Sequence, residues 1–308
     1  PSVAPDGSGR PGGTRLTSSR AGQALDARTI LLTSADTVAK TPATTGADWY
    51  TRERETRLIS PDQAVAKRLA KKFGKGKKPA AASPITASVS STEEAWTGRN
   101  GHDRTVTGID PKIAFPSEAE KAKWTKLTPA ERQRWDLDVS GKPKVSNYDF
   151  SSLKLSLNQQ DKTVAALEKL PSDPAALEKT LRTWFAHENQ VSKAHDGVPM
   201  GGDFSQYVFG QAQDLLAGPL TPGTKATLYR LLAKQPGITY LGTKSDSLGR
   251  EGAVLTMSDP GSEAEEIRLI IDPKTGQLLA QESGPRAKPL LTMTYESVGW
   301  VNSLGARP

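Results

Sequence analysis

The sequence has no cysteine in 308 residues and only three histidines. The first absence excludes thiol catalysis, iron–sulfur clusters, cysteine zinc sites and disulfide staples, but leaves the compartment open, because cysteine-free chains suit both the cytosol and an extracellular surface. No run approaches the roughly 20 apolar residues that cross a bilayer, and no charged-then-apolar leader is present. Any membrane anchor or signal is therefore expected to lie outside this stretch. What is present, 35% hydrophobic and 24% charged residues, is the composition of a soluble globular protein. At roughly 150 residues per domain the length allows one large domain or two ordinary ones.

The formal net charge of +7 invites a nucleic-acid reading until its location is traced. Lys67, Arg68, Lys71, Lys72, Lys75, Lys77 and Lys78 are seven cations within twelve residues that contain no acid, and the rest of the chain balances 34 basic against 34 acidic side chains. A neutral globule with one basic segment argues against a nucleic-acid-binding face, the more so because no aromatic beyond Phe73 interleaves the cations. Ser60, Pro61 and Gln63 are an N-cap, a first-turn proline and a capping-box acceptor, and Val65, Leu69 and Phe73 recur every four residues. The spacing predicts a short basic amphipathic helix in an insertion at 61–82. Its faces suit solvent or an anionic membrane surface, where each basic residue is worth about 1 kcal/mol.

Residues 1–24 are rich in Gly, Ser, Pro and Arg without periodicity and read as a disordered linker. A helix from Asp26 carries Ile30, Leu31, Ala35 and Val38. Strands are expected at 48–59 and 85–96, the second turning at Asn100-Gly101, a strong short hairpin signal. Ser117 with Glu120, and Thr128-Pro129 with Glu131, are capping boxes for two short helices carrying Trp124 and Trp135. Further helices are predicted over 161–170 and from Asp173, Asp203 and Thr221. From 238 onward the apolar period changes from 3.6 to 2, giving five strands at about 238–244, 251–258, 264–271, 277–283 and 290–299, joined by turns too short for anything but antiparallel neighbours. Strands and helices are segregated, so the fold class is α+β, a curved antiparallel sheet with the middle helices as its cover.

Patterns that resemble chemistry fail on spacing. Ser151 to Lys154, Ser156 to Asn158 and Lys274 to Gly276 reproduce the short motifs of serine penicillin-binding enzymes, yet the second follows the first by two residues inside an alternating stretch, and the third sits in a turn. Gly237 to Lys244 is one residue too long for a phosphate-binding loop, and no helix follows it. His187-Glu188 lacks the second histidine of a zinc protease helix, and His102 and His195 stand alone. No catalytic residue, metal or cofactor is expected, and the protein reads as a non-enzyme. The alternating sets Ala253, Leu255, Met257, then Ile267, Leu269, Ile271, then Leu291, Met293, Tyr295 suit a solid core before the wall of a ligand pocket; the same side chains serve both, and only a void separates the two.

The run Leu215 to Pro222, its continuation through Leu228-Tyr229-Arg230 to Ile238, Gly249 to Gly252, the turn Ile271 to Gly276 and the ending Gly299 to Gly305 resemble an actinobacterial family of uncharacterised membrane-anchored extracytoplasmic proteins, often encoded beside extracytoplasmic-function sigma factors. The family's domain is similar to the half-barrel of periplasmic lipoprotein carriers and mycobacterial lipid carriers. The resemblance implies one such domain over 25–308, placed outside the cytoplasm by an anchor or secretion. It also implies a hydrophobic or lipid-like ligand, bound as carrier or envelope-signalling sensor, with Leu215, Leu255, Met257, Leu269 and Met293 as cavity candidates. The alternative is an interaction module for a membrane-anchored regulator, with a filled core and no small ligand.

Overall fold

The computed structural model describes residues 20–62, 83–149, 155–157, 160–199, 201–257 and 266–308. The basic segment from Lys67 to Lys78 and the Ser151 to Lys154 motif lie outside them, as do residues 1–19.

Eleven strands and seven helices are formed by the described residues. The first helix, α1 (Arg20–Val38), starts six residues before the expected Asp26. Its buried Ala27, Leu31, Ala35 and Val38 repeat at helical spacing and face the core. Strands β1 (Asp48–Ile59), β2 (Ala87–Gly98), β3 (His102–Ala114) and β4 (Lys144–Asp149) follow. The β2–β3 turn is the expected Asn-Gly turn, with Gly101 at φ 77°, where a side chain would be strained. Between β3 and β4 lie α2 (Glu118–Thr125) and α3 (Pro129–Arg134).

The Thr128 capping box closes in both directions, but at Ser117 only half of one forms. There Glu120 turns away to accept the Thr86 N–H at 2.7 Å, which ties α2 to the start of β2. A two-stranded hairpin, β5 (Leu155–Leu157) and β6 (Gln160–Lys162), takes the place of the first turn of the helix expected over 161–170. The helix that does form, α4 (Val164–Glu168), is capped by Thr163. Then come α5 (Pro174–Asp196), α6 (Phe204–Ala217) and α7 (Pro222–Leu232), capped by Asp173, Asp203 and Thr221.

The last five strands are β7 (Ile238–Ser245), β8 (Glu251–Met257), β9 (Ile267–Asp272), β10 (Gln277–Ser283) and β11 (Leu291–Val301). They form the expected antiparallel meander. Pairing of β1 with β11 joins it to the N-terminal strands in one open, nine-stranded antiparallel sheet of order β4-β3-β2-β1-β11-β10-β9-β8-β7.

Strand alternation divides the sheet chemically. One face carries Leu255, Leu269, Ile271, Leu278 and Tyr295, which form the principal core with α1, α5, α6 and α7. A second cluster on Ile85, Ala87, Val89 and Leu137 is roofed by Trp124 and Trp135 of the two short helices. The opposite face carries a lattice of ion pairs. Glu94 accepts from Tyr50, Arg52 and Arg307, and Arg52 and Arg54 both reach Glu296. Arg307, then Tyr50 and Arg52, hold the Glu94 carboxyl down to about 2 against the desolvation that opposes them. The chain after β11 is thereby strapped across β1 and β2, with Trp96 Nε1 donating to Ala306 O at 2.6 Å.

Candidate functional site

The five residues expected to wall a ligand cavity sit together. Leu215, Leu255 and Leu269 are 0–1% exposed within the principal core, and Met257 and Met293 are partly buried against it. Open space is found elsewhere. A cleft of about 380 Å³ is lined by the end of α1 (Val38, Thr41, Pro42), by Trp49, by Leu216 and Ala217 of α6, by Lys225 of α7, by Gln277 and Leu278 of β10 and by Tyr295 to Trp300 of β11. None of the five expected residues lines it.

The cleft exists because two neighbouring strands part. β10 pairs with β11 only between Ala280 and Ser283, opposite Thr294 to Leu291, whereas β1 follows β11 to Val301. A register shift between Leu278 and Ala280 turns the start of β10 toward β9. Beyond Thr294 the backbone of β11 has a described strand on one side only. Into the fork reaches Arg250 from the β7–β8 turn. Its Nη2 donates to Tyr295 O at 2.7 Å and more weakly to Leu279 O at 3.4 Å, replacing part of the missing ladder. Asp246, whose side chain is fully buried, holds that guanidinium at 2.6 Å.

The walls are aromatic and aliphatic. Trp49 and Trp300, opposite each other on β1 and β11, meet edge to face at 5.3 Å between ring centres. Trp49 Nε1 donates to Ala217 O at 3.1 Å, which fixes the end of α6 over the sheet. Arg99 covers the Trp300 ring at 4.4 Å and is itself paired with Glu168. Lys225 Nζ lies 5.5 Å from the Trp49 ring centre, and desolvation alone lowers its pKa to about 8. No acid pairs with it among the described residues. The far rim is the β9–β10 turn. Its Gly276 has φ 68°, and a Cβ there would stand 2.1 Å from Val38 Cγ2, so only glycine fits.

Of these residues the sequence singles out Tyr295 alone as a pocket-wall residue, in the alternating set of the last strand. The one local signal was Lys225 itself, the fourth residue of a helix that begins at Pro222, where the helix dipole disfavours a cation.

A second polar feature lies on the helix-covered side of the sheet. Glu53 faces Glu93 across the β1–β2 ladder and Tyr295 across the β1–β11 ladder, and Glu55 and Asp214 are close enough to act on it. Burial, then repulsion from Glu93, Glu55 and Asp214, raises the Glu53 pKa to about 7. A carboxyl raised on folding is at its least costly below its unfolded pKa, near 4, and its burden grows until the pH passes the folded value. Glu53→Gln is therefore expected to leave stability unchanged near pH 4 and to increase it progressively up to pH 7, by on the order of 2 kcal/mol. Urea unfolding of both proteins across that range measures it, and a constant difference would contradict the assignment. Among the described residues no group of three or more metal-ligating side chains converges, and the Lys274 to Gly276 motif is the β9–β10 turn that its Asp-Pro opening predicts. No helix of the described residues is long and apolar enough to cross a membrane.

No family model matches the sequence, and no curated protein matches it. Among solved structures, the complex of Pseudomonas aeruginosa MucA/MucB is matched at 12% identity and a TM-score of 0.29, over 92% of this chain and 58% of that one. A crystal structure of MucB is matched at 11% identity and a TM-score of 0.25, over 92% and 60%. This chain thus spans less than two thirds of the length of either. Superposition this loose transfers neither a partner nor an activity to it.

Proposed function

We propose that the protein is a non-enzymatic recognition module and that the fork between β10 and β11 is where it takes its partner, as an extended polypeptide segment added along β11 from Tyr295 to Trp300. The observation that carries this reading is the one-sided pairing of β11 beyond Thr294, at a place where the neighbouring space is a cleft. Backbone N–H and C=O groups are obligate hydrogen-bonding groups, and a strand edge that lacks a neighbour is a template for one. An added strand satisfies the main chain there, while side chains in the cleft supply selectivity. The filled core at Leu215, Leu255 and Leu269 supports a polypeptide over a lipid carried inside the sheet.

On this reading the partner is a segment of a membrane-anchored regulator outside the cytoplasm, the setting that the family resemblance implies. The cations from Lys67 to Lys78 would then add attraction to an anionic membrane surface. A second reading keeps the same cleft for a hydrophobic ligand, because Trp49, Trp300, Leu216 and Leu278 line it and its volume falls within the roughly 300–1,000 Å³ usual for such pockets.

Hydrogen–deuterium exchange on the full chain, with and without peptides selected on it from a random linear library, separates the two. Strand addition is expected to slow every second amide from Tyr295 to Trp300, and N-methylation of the peptide at alternate positions should abolish binding. Selection of no peptide, or protection confined to other strands, would overturn it. Lipid recovered with the protein from its own host would then favour the second reading.

A further inference from the structure

Lys225 is a cation placed where general rules would not put one. It is the fourth residue of α7, close to the positive end of the helix dipole, with Nζ 5.5 Å from the Trp49 ring centre, and it lines the cleft together with Leu216 and Trp300. The other cation of the cleft, Arg250, is neutralised by Asp246. The acid of the lining, Glu296, has its carboxylate bound to Arg52 and Arg54. Lys225 has neither arrangement. Lys225 is half-buried, its charge is met by the Trp49 ring and by no carboxylate among the described residues, and burial lowers its pKa to about 8. A leucine or methionine would pack against the same rings without that desolvation, so the amine has no structural gain to explain it.

We infer that Lys225 is the anion-recognition residue of the cleft, and that the segment taken there presents a carboxylate to Nζ with an apolar group beside it, laid on the Trp49–Trp300 pair. The inference relies on the strand-addition reading only for the polypeptide nature of the occupant. The carboxylate itself could be a chain terminus or an Asp or Glu side chain. Either one would restore the missing counter-charge, would be drawn by the start of α7, and would return the ammonium toward its ordinary titration range.

The test uses 3-phenylpropionate as probe, with 3-phenylpropanol and 3-phenylpropylamine as controls, on the full chain with ¹³C-methylated lysines followed by NMR. The carboxylate is expected to bind and to raise the Lys225 titration midpoint by about two pH units, while the alcohol and the amine leave it in place. Lys225→Met should weaken phenylpropionate binding at least tenfold, and Lys225→Arg should largely keep it. Apolar pentapeptides with a free or an amidated C-terminus, and with an internal Glu or Gln, then identify which carboxylate is read. A Lys225 midpoint that phenylpropionate does not move, or equal binding by Lys225→Met, overturns the inference. If the midpoint moves but no peptide protects β11, strand addition fails and the carboxylate site stands. If peptides protect β11 equally in wild type and Lys225→Met, the reverse holds.

Discussion

Replacing Arg268 by alanine is expected to destabilise the protein by about 3–5 kcal/mol, because it would strand buried carboxylates. The guanidinium is 2% exposed on the outer face of β9, between Glu266 and Glu282, whose side chains are 1% and 5% exposed. It donates to both at 3.1 Å and to Gly284 O at 3.0 Å. Lys244 and Arg286 also reach the two acids, but both stand largely in water and cannot replace a charge set between them. Urea unfolding at constant m-value measures the loss. Arg268→Met combined with Glu266→Gln and Glu282→Gln should recover much of it, since the penalty belongs to the uncompensated acids rather than to the missing arginine. A loss under about 1 kcal/mol for Arg268→Ala would mean that Lys244 and Arg286 suffice.

The second large effect concerns the core that a lipid carrier would leave hollow. Leu269 is 0% exposed and lies directly across from Leu255 on β8, which is equally buried. Leu269→Ala is expected to cost about 2–5 kcal/mol, the range for a methyl-rich side chain removed from tight packing. Met293→Ala should cost less, because Met293 keeps part of its surface in water. Chemical denaturation of the two variants gives the comparison. A Leu269→Ala loss well below 2 kcal/mol, together with uptake of an apolar molecule by the wild-type protein, would return the cavity reading to first place.

Much of the fold follows from local rules that leave marks in the chain. The period-2 runs between Ile238 and Val301 became five antiparallel strands, because turns as short as Asp272 to Gly276 permit no crossover. Thr128, Asp173, Asp203 and Thr221 cap the helices that begin after them, since a side-chain acceptor satisfies a backbone N–H that the first turn leaves bare. The exception is instructive. Asp161 has the chemistry of a helix start but lies in the β5–β6 hairpin, and the helix waits for Thr163, a weaker cap that accepts from the Ala166 N–H.

The pairing of β1 with β11 carries no such mark. Alternation says which face a residue takes and is silent on which strand lies beside it; that choice depends on closing a loop of some 240 residues, which only the packed helices beneath the sheet reward. Everything assigned to function here depends on that choice. It places Trp49 against Trp300, leaves β11 with a single partner where β10 turns away, and sets Lys225 over a ring from the other end of the chain. In the sequence Lys225 is one lysine among many on an amphipathic helix. The sequence by itself determined the elements, their caps and the polarity of each face, because these depend on neighbours within a few residues. Only the tertiary structure decided where two strands part and which cation meets an aromatic ring in place of a carboxylate among the described residues, because both are set by groups far apart in the chain.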